Sequence, residues 1–394
     1  MDPPPDVLVL GAGIAGCSLA YHLTRRGIRP LVYDPRTPSA GATGRSAGVL
    51  TEQLWDPWDV EVARETRREY ADLSRGFERA AYRQNGFVRI ASDPVAVQLL
   101  DDAVGRWRGW GVEVEELTEA DLDRRLPWGE FHDVGRAVFS PHDAIVDPGA
   151  VAAIYAEGAR KAGATFDFGR PMSRLRPLEE GWEIETPTGT LSGRSLVVAA
   201  GAWSKAILRG IDHPMPLAPY RTQAAVLRVP GALGEEFPTV HELDSDVYVR
   251  PESEGRILAG DGTEETESDP ERFPPHADQP FLEHLAATLS RRFPGWRESE
   301  VAGSWAGVCT ATPDRRPIVG SLGGSPPLFV LTGFNGFGVM RAGGIARRLA
   351  DLIAALPSAE ESLAPVAPGR FRGSIGGFRP RPGFTVEGGD DPRY

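Results

Sequence analysis

Apolar and polar positions follow two rhythms along this chain. Val7-Leu8-Val9-Leu10 is wholly apolar, the pattern of a short strand buried on both faces of a parallel sheet. Gly11-Ala12-Gly13-Ile14-Ala15-Gly16 follows at once, and 17–26 then carries a helical pattern closed by Gly27. Leu31-Val32-Tyr33 is a second apolar strand that ends on Asp34. These residues predict a β-α-β unit at the start of the chain. Farther on, the spacing of Val62, Tyr70, Leu73 and Phe77 predicts a charged helix over 59–83. Further helices are expected at 95–110, 117–126, 148–162, 281–293 and 338–356, with Pro148 in the first turn of its helix. Strands are expected at 87–90, 172–176, 182–185, 191–199, 218–229, 247–250, 256–259, 300–310, 317–320 and 328–332.

The strands next to glycine-rich loops lie at both ends and in the middle of the chain, and the strand clusters between them carry no such loop. The expected organisation is therefore two interleaved units. One is a Rossmann-like α/β unit made of 1–85, 136–212 and 300–357. The other is an α+β unit on a mixed or antiparallel sheet, made of 86–135 and 213–299. The tail, 358–394, is rich in Pro, Gly and Arg and is expected to wrap the surface or stay disordered.

Composition narrows the function classes. A chain of 394 residues exceeds one ordinary domain of roughly 150 residues. With 41% hydrophobic and 25% charged residues it reads as globular. Its net charge of −12 argues against nucleic-acid binding or a broad hold on anionic membranes. Cys17 and Cys309, the only cysteines, provide neither a disulfide framework nor a thiolate metal site. None of the seven histidines forms an HxH or HExxH pair, so no metal is expected. No basic and apolar leader and no run of 18 apolar residues is visible, which makes a cytoplasmic protein without a membrane span the expectation. Lysine occurs only at positions 161 and 205, so any chemistry that needs a lysine has two candidates.

The first loop carries chemistry. Gly11 permits a tight turn, Gly13 lets the backbone approach a diphosphate, and Gly16 lets the helix pack close to the strand. The helix start adds free N–H groups and a positive dipole end. Asp34 stands near where a ribose-binding acid is expected. This setting predicts dinucleotide binding but does not separate FAD from NAD. The stretch Gly41-Ala-Thr43-Gly44-Arg45-Ser46-Ala47-Gly48-Val-Leu adds small residues, hydroxyls and a charge that suit a flavin. Near the other end, Thr332-Gly333-Phe334-Asn335-Gly336-Phe337-Gly338-Val339-Met340 opens a helix, an electropositive cradle for the edge of a reduced flavin.

In order, GAGIAG, GATGRSAGVL, VVAAGAWS, TPDRRPIVG and GFNGFGV resemble the D-amino acid oxidase-like family of FAD-dependent oxidoreductases. This is the group of sarcosine oxidase, glycine oxidase, dimethylglycine dehydrogenase and dye-linked L-proline dehydrogenase. The resemblance runs from about Val7 to about Pro357. It implies an FAD domain of glutathione-reductase type with a mixed-sheet substrate domain over the flavin, and oxidation of the Cα–N bond of an amino acid or N-methyl amine by hydride transfer to flavin N5. It further implies a cofactor site of Gly11, Gly13, Ile14, Ala15, Gly16, Asp34, Pro35, Arg36, Thr43, Gly44, Arg45, Ser46, Ala47, Gly48, Met172, Ala200, Gly201, Trp203, Gly307, Arg315, Gly333, Phe334, Asn335, Gly336, Phe337, Gly338 and Val339.

Several positions depart from the family pattern. The residues that carry a covalent flavin in some members correspond here to Gly307 and Arg45, so non-covalent FAD is expected. Cys309 is displaced by two residues and reads equally as a small buried side chain. The family's substrate-binding and oxygen-activating cations fall on Cys309, Met340 and Leu258. Arg250 and Arg315 remain as possible carboxylate anchors, each with a salt bridge as the plainer alternative. Tyr248 is either a pocket-closing group or a core tyrosine. Trp55 and Trp58 either line the site or simply pack, and Glu52 and Gln53 are weak candidates for polar groups facing the substrate or the flavin. The missing lysine favours a dehydrogenase passing electrons to a quinone or dye over an oxidase using oxygen. The alternative is an FAD-binding subunit with little turnover. Oligomerisation is left open.

Overall fold

The computed structural model describes residues 5–371 apart from 232, 235, 254 and 262. Its first sheet has the strand order Ile318–Gly323, Leu328–Thr332, Ser195–Val198, Val7–Leu10, Pro30–Asp34, Thr165–Phe168. All neighbours run parallel except Ile318–Gly323, which returns antiparallel on Leu328–Thr332. The opening strand explains its own composition. Val7 and Val9 face one core, packed with the helices Ile14–Thr24, Pro148–Lys161 and Gly338–Ile353, and Leu8 and Leu10 face another, with Trp182 and Ile184. A strand covered on both faces has no place for a polar side chain.

The second sheet has nine strands. Along its path run Thr263–Glu267, Ala218–Arg228, Arg256–Gly260, Val247–Pro251, Thr239–Glu242, Phe87–Ala91, Arg136–Ser140 and Glu115–Glu116, and Glu300–Ala311 pairs with the other edge of Ala218–Arg228. The sheet is mixed, because Thr239–Glu242 runs parallel to Phe87–Ala91. Val88, Ile90, Val240, Val249, Ile257 and Ala225 point to one face, which the helix Gln279–Arg292 and the stacked rings of Phe293 and Trp296 cover. The alternate residues point the other way, and that face carries the site.

Arg136–Ser140 and Glu300–Ala311, placed above with the α/β unit, are hydrogen bonded into the nine-stranded sheet. The expected strand 191–199 is two, because Gly189–Gly193 belongs to a three-stranded antiparallel sheet and Ser195–Val198 to the parallel one. The helix expected over 59–83 runs only over Pro57–Gly76, and Tyr82–Gln84 at its expected end is a strand; the short strands Ala144–Val146, Thr165–Phe168 and Thr239–Glu242 lie in stretches given no element. The tail is not wholly loose. Residues 359–363 are helical, Leu363 and Val366 are buried, the Trp58 indole donates to the Ser362 carbonyl (3.0 Å), and Arg370 pairs with Asp314 at 2.7 Å. The rest of the tail lies outside the described residues. No helix among the described residues is long and apolar enough to cross a membrane.

Candidate active site

A cavity of about 660 Å³ lies between the carboxyl ends of the parallel strands and the open face of the nine-stranded sheet. One end is built on the glycine loop. Gly11 has φ +119°, and a Cβ there would fall 2.3 Å from the Ala199 carbonyl oxygen. Gly16 does not reach the cavity; its own Cβ would fall 2.0 Å from the Gly11 carbonyl oxygen, so it sets the close approach of helix to loop. The helix Ile14–Thr24 starts at Gly13, whose residue type offers no capping side chain, and only the Thr43 hydroxyl, from the next glycine-rich loop, accepts from the Ile14 N–H (3.0 Å). Asp34 stands on the cavity wall with its two oxygens accepting from the N–H groups of Ala12 (2.8 Å) and Arg36 (2.9 Å). Burial pushes its pKa up, and these two bonds hold it down.

Gly13, Ile14, Ala15, Pro35, Arg36, Thr43, Arg45, Ser46, Ala47, Gly48, Met172, Ala200, Gly201, Trp203, Gly307, Phe334, Asn335, Gly336, Phe337, Gly338 and Val339 share the wall with Gly11 and Asp34. Gly44 and Gly333 do not. Gly44 lies tight against Ser39, and Gly333, at φ +74°, lets its loop pass Thr312. The Arg45 guanidinium donates to the carbonyls of Ala40 and Gly41, and the Trp305 indole donates to the Arg45 carbonyl (2.9 Å). At the rim, Arg36 lies 4.1 Å over the Trp203 ring, and both bind the Glu271 carboxylate, at 2.6 and 2.5 Å. The helix Gly338–Ile353 begins on the wall without a side-chain cap. In its first turn Arg341, fully buried, bonds Asp59 (2.6 Å) and the Phe334 carbonyl (2.8 Å), which fixes the loop before it.

The other end belongs to the nine-stranded sheet. Cross-strand register places His241 beside Tyr248 and Tyr248 beside Gly260, and likewise Tyr220 beside Cys309 and Thr222 beside Gly307, all on the cavity side. Burial raises the Tyr220 and Tyr248 hydroxyls well above their ordinary pKa and pushes the Cys309 thiol up to about 11, although its bond with Tyr220 lowers it. His241 bonds Asp246 at 2.9 Å, and burial, its largest influence, lowers its pKa although Asp246 raises it. Asp261, bonded to His284 at 2.7 Å, is raised by burial to about 6.

Of the three residues expected to contact substrate, Tyr248 is on the wall and the two arginines are not. Arg250 lies two residues beyond Tyr248 on the same sheet face, but it turns to Glu252 and the Pro251 carbonyl. Arg315 sits at φ +56° in the turn that leaves the nine-stranded sheet. Trp55 packs edge-on to Phe337 at 4.5 Å, Glu52 is paired with Arg64 and Arg67, and Gln53 donates to Ser140. Lys161 and Lys205 are surface partners of Glu157 and Glu267. His241, Asp246 and Asp261 were missed in the sequence. The signal available was the pairing of His241 with Asp246 just before Tyr248, but it sat beside a strand of only four residues. Among the described residues no group of three or more His, Cys, Asp or Glu side chains is placed to hold a metal ion.

Known proteins agree with this architecture. The chain is 27% identical over 382 residues to the mitochondrial dimethylglycine dehydrogenase of Mus musculus, an alignment covering 88% of this chain and 42% of that protein. It thus spans less than half the length of that relative. Its fold matches the L-proline dehydrogenase of P. horikoshii (TM-score 0.84, 22% identity, covering 94% of this chain and 99% of that one) and the glycine oxidase of Geobacillus kaustophilus (TM-score 0.84, 24% identity, covering 95% and 100%). The family model for FAD dependent oxidoreductases, DAO, matches residues 6–352. A glycine loop, an acid at the end of the second strand and a helix start on one cavity, within a match of that extent, make this chain a member of the DAO family of FAD-dependent oxidoreductases.

Proposed function

We propose that the chain holds FAD non-covalently and oxidises the carbon–nitrogen bond of an amine or amino acid. The observation that carries this reading is the continuity of the cavity, with a glycine cradle and two uncapped helix starts at one end and a buried, tyrosine-bearing sheet face at the other. FAD, when bound, supplies the two-electron acceptor. The residues fit it. Gly11, Gly13 and the start of Ile14–Thr24 suit the diphosphate, Asp34 a ribose hydroxyl, Thr43 to Gly48 the stretch leading to the ring, and the start of Gly338–Ile353 the negative charge of the reduced ring edge. Tyr220 and Tyr248 exclude water from the substrate end. The amine reacts as the free base, so hydride leaves its carbon without a protein base first taking a proton. The imine so formed is hydrolysed by water.

Two finer points belong to the proposal. Arg45 and Gly307 stand where relatives attach the flavin, and burial keeps the Cys309 thiol protonated, which makes it a poor nucleophile. The preferred acceptor is a quinone, dye or flavoprotein, because no lysine is on the described cavity wall to favour oxygen. The two-unit division is also proposed, with Arg136–Ser140 and Glu300–Ala311 given to the substrate unit.

The test is direct. Acid precipitation of the yellow protein should leave the flavin in the supernatant; colour in the pellet refutes non-covalent binding. Amines added without air should bleach it, with a dye restoring the colour faster than oxygen. A protein that no amine bleaches refutes amine oxidation and returns the alternative of a flavin-binding subunit.

A further inference from the structure

Across the cavity face of the nine-stranded sheet, one row of side chains has a gap. His241 stands in register with Tyr248, and Tyr248 with Gly260. On the far side of the next strand, Ala224 is paired with Trp305. Gly260 ends the strand Arg256–Gly260 and has ordinary strand backbone, so conformation does not call for a glycine there. Space does. A Cβ on Gly260 would fall 2.5 Å from the Tyr248 hydroxyl oxygen, 2.8 Å from its Cζ and 3.1 Å from the Gln223 carbonyl oxygen. The phenol therefore lies over Gly260 with its tip toward the strand Ala218–Arg228. Tyr248 is half-buried on the cavity wall, and the glycine beneath it is not on the wall. Gly336 makes a contrast. Its Cβ would lie 3.1 Å from the Tyr220 hydroxyl, but its φ of +84° already accounts for the glycine.

Packed heavy atoms sit about 3.5–4.0 Å apart, so a methyl group at position 260 would displace the phenol by about 1 Å. The strand beneath is paired on both edges and yields less than a side chain, so the ring moves toward the cavity it already faces. We propose that Gly260 sets the depth of the substrate end by letting Tyr248 lie along the sheet, and that the site is thereby sized for an amine with a bulky substituent. This rests on the amine-oxidation reading above and names the position that limits substrate size. Gly260 is a positioning residue: it acts through Tyr248, and the substrate meets the ring. A small amine has room with the ring in either place, whereas a large one loses its space when the ring lifts.

Two probes without a hydrogen on the amine-bearing carbon bind without being oxidised there, 2-aminoisobutyrate and the bulkier α-methylphenylalanine. Each is titrated by calorimetry into the flavin-loaded protein. Wild type should bind the larger probe more tightly. Gly260→Ala should weaken the larger at least about tenfold and the smaller less than about twofold. In a Tyr248→Ala background the same change at 260 should have no effect, because the ring that carries it is gone. Flavin content checks that each variant is intact. If Gly260→Ala alone fails to hold flavin, adding Tyr248→Ala should restore it. Equal weakening of both probes, an undiminished effect without the Tyr248 ring, failure of that rescue, or wild type that binds neither probe or prefers the smaller overturns the proposal. Bleaching by amines reports separately on the reaction. Bleaching without the size split sinks the role of Gly260 and leaves amine oxidation standing, whereas the size split in a protein that no amine bleaches does the reverse.

Discussion

Gly11 shows how a single position decides the cofactor end. Its φ of +119° is costly for any side chain, and the Ala199 carbonyl oxygen occupies the place of a Cβ. We expect Gly11→Ala to lower flavin content roughly tenfold, read from the visible absorbance per protein, because the loop must shift away from the diphosphate. Full flavin content in that variant would show that the loop tolerates the shift. Asp143 makes a different prediction. It is buried, accepts from the Thr51 hydroxyl (2.5 Å) and the Glu52 N–H (2.9 Å), and is nevertheless pushed by burial to about 7. Glu52 also raises it, and Arg67 lowers it. The folded state therefore keeps a proton that the unfolded chain releases near 3.8. Stability from this group is complete below that value and is lost as pH rises through about 7. Relative to wild type, Asp143→Asn should gain a few kcal/mol between pH 4 and about 8, measured as the difference in unfolding free energy. A difference that does not change with pH would remove Asp143 as the titrating group.

Among the secondary-structure elements, the α/β part was legible because its signals are local. An apolar run, three glycines and an acid report a β-α-β unit within one short window, and the helix Gly338–Ile353 announces itself by a glycine loop and its periodicity. The sheet that faces the cavity was readable only in part. Tyr248 was found on its strand, yet His241, Tyr248 and Asp261 come together from neighbouring segments through register, which no single window contains. Arg250 failed for the same reason: its partner Glu252 lies beyond the strand end, where periodicity says nothing about direction. The partner of Arg341 was equally hidden. Asp59 lies on Pro57–Gly76, and the pair locks that helix to Gly338–Ile353 with both side chains nearly inaccessible. Asp59→Ala leaves a buried guanidinium unpaired and should cost about 3–5 kcal/mol in urea unfolding, whereas D59L with R341M should recover most of it. A loss below about 1 kcal/mol for D59A would mean that water reaches Arg341.

Across the whole molecule, the two sheets enclose one volume and are tied at its rim. Glu271, on the loop that follows the edge strand of the nine-stranded sheet, holds Arg36 and Trp203, and Lys205 holds Glu267 at 2.5 Å on the same side. One of the two lysines thus ties the two sheets at the rim. These contacts are half exposed, so salt should weaken them. Release of FAD from wild type is expected to speed up with ionic strength, and Glu271→Ala should release it roughly tenfold faster with a flatter salt response. Equal release rates in the two proteins would dissociate the rim from cofactor retention.

The rim also bears on how a flavin held as proposed, without a covalent bond, would stay in place. If the Arg36–Trp203–Glu271 cluster must part before FAD can pass, the departure rate follows the opening of the walls and not the strength of the contacts inside. Affinity and residence time then become separate properties. Extensive dilution would leave the protein coloured long after equilibrium favoured the empty form, and newly made chains would load most readily before the rim had closed.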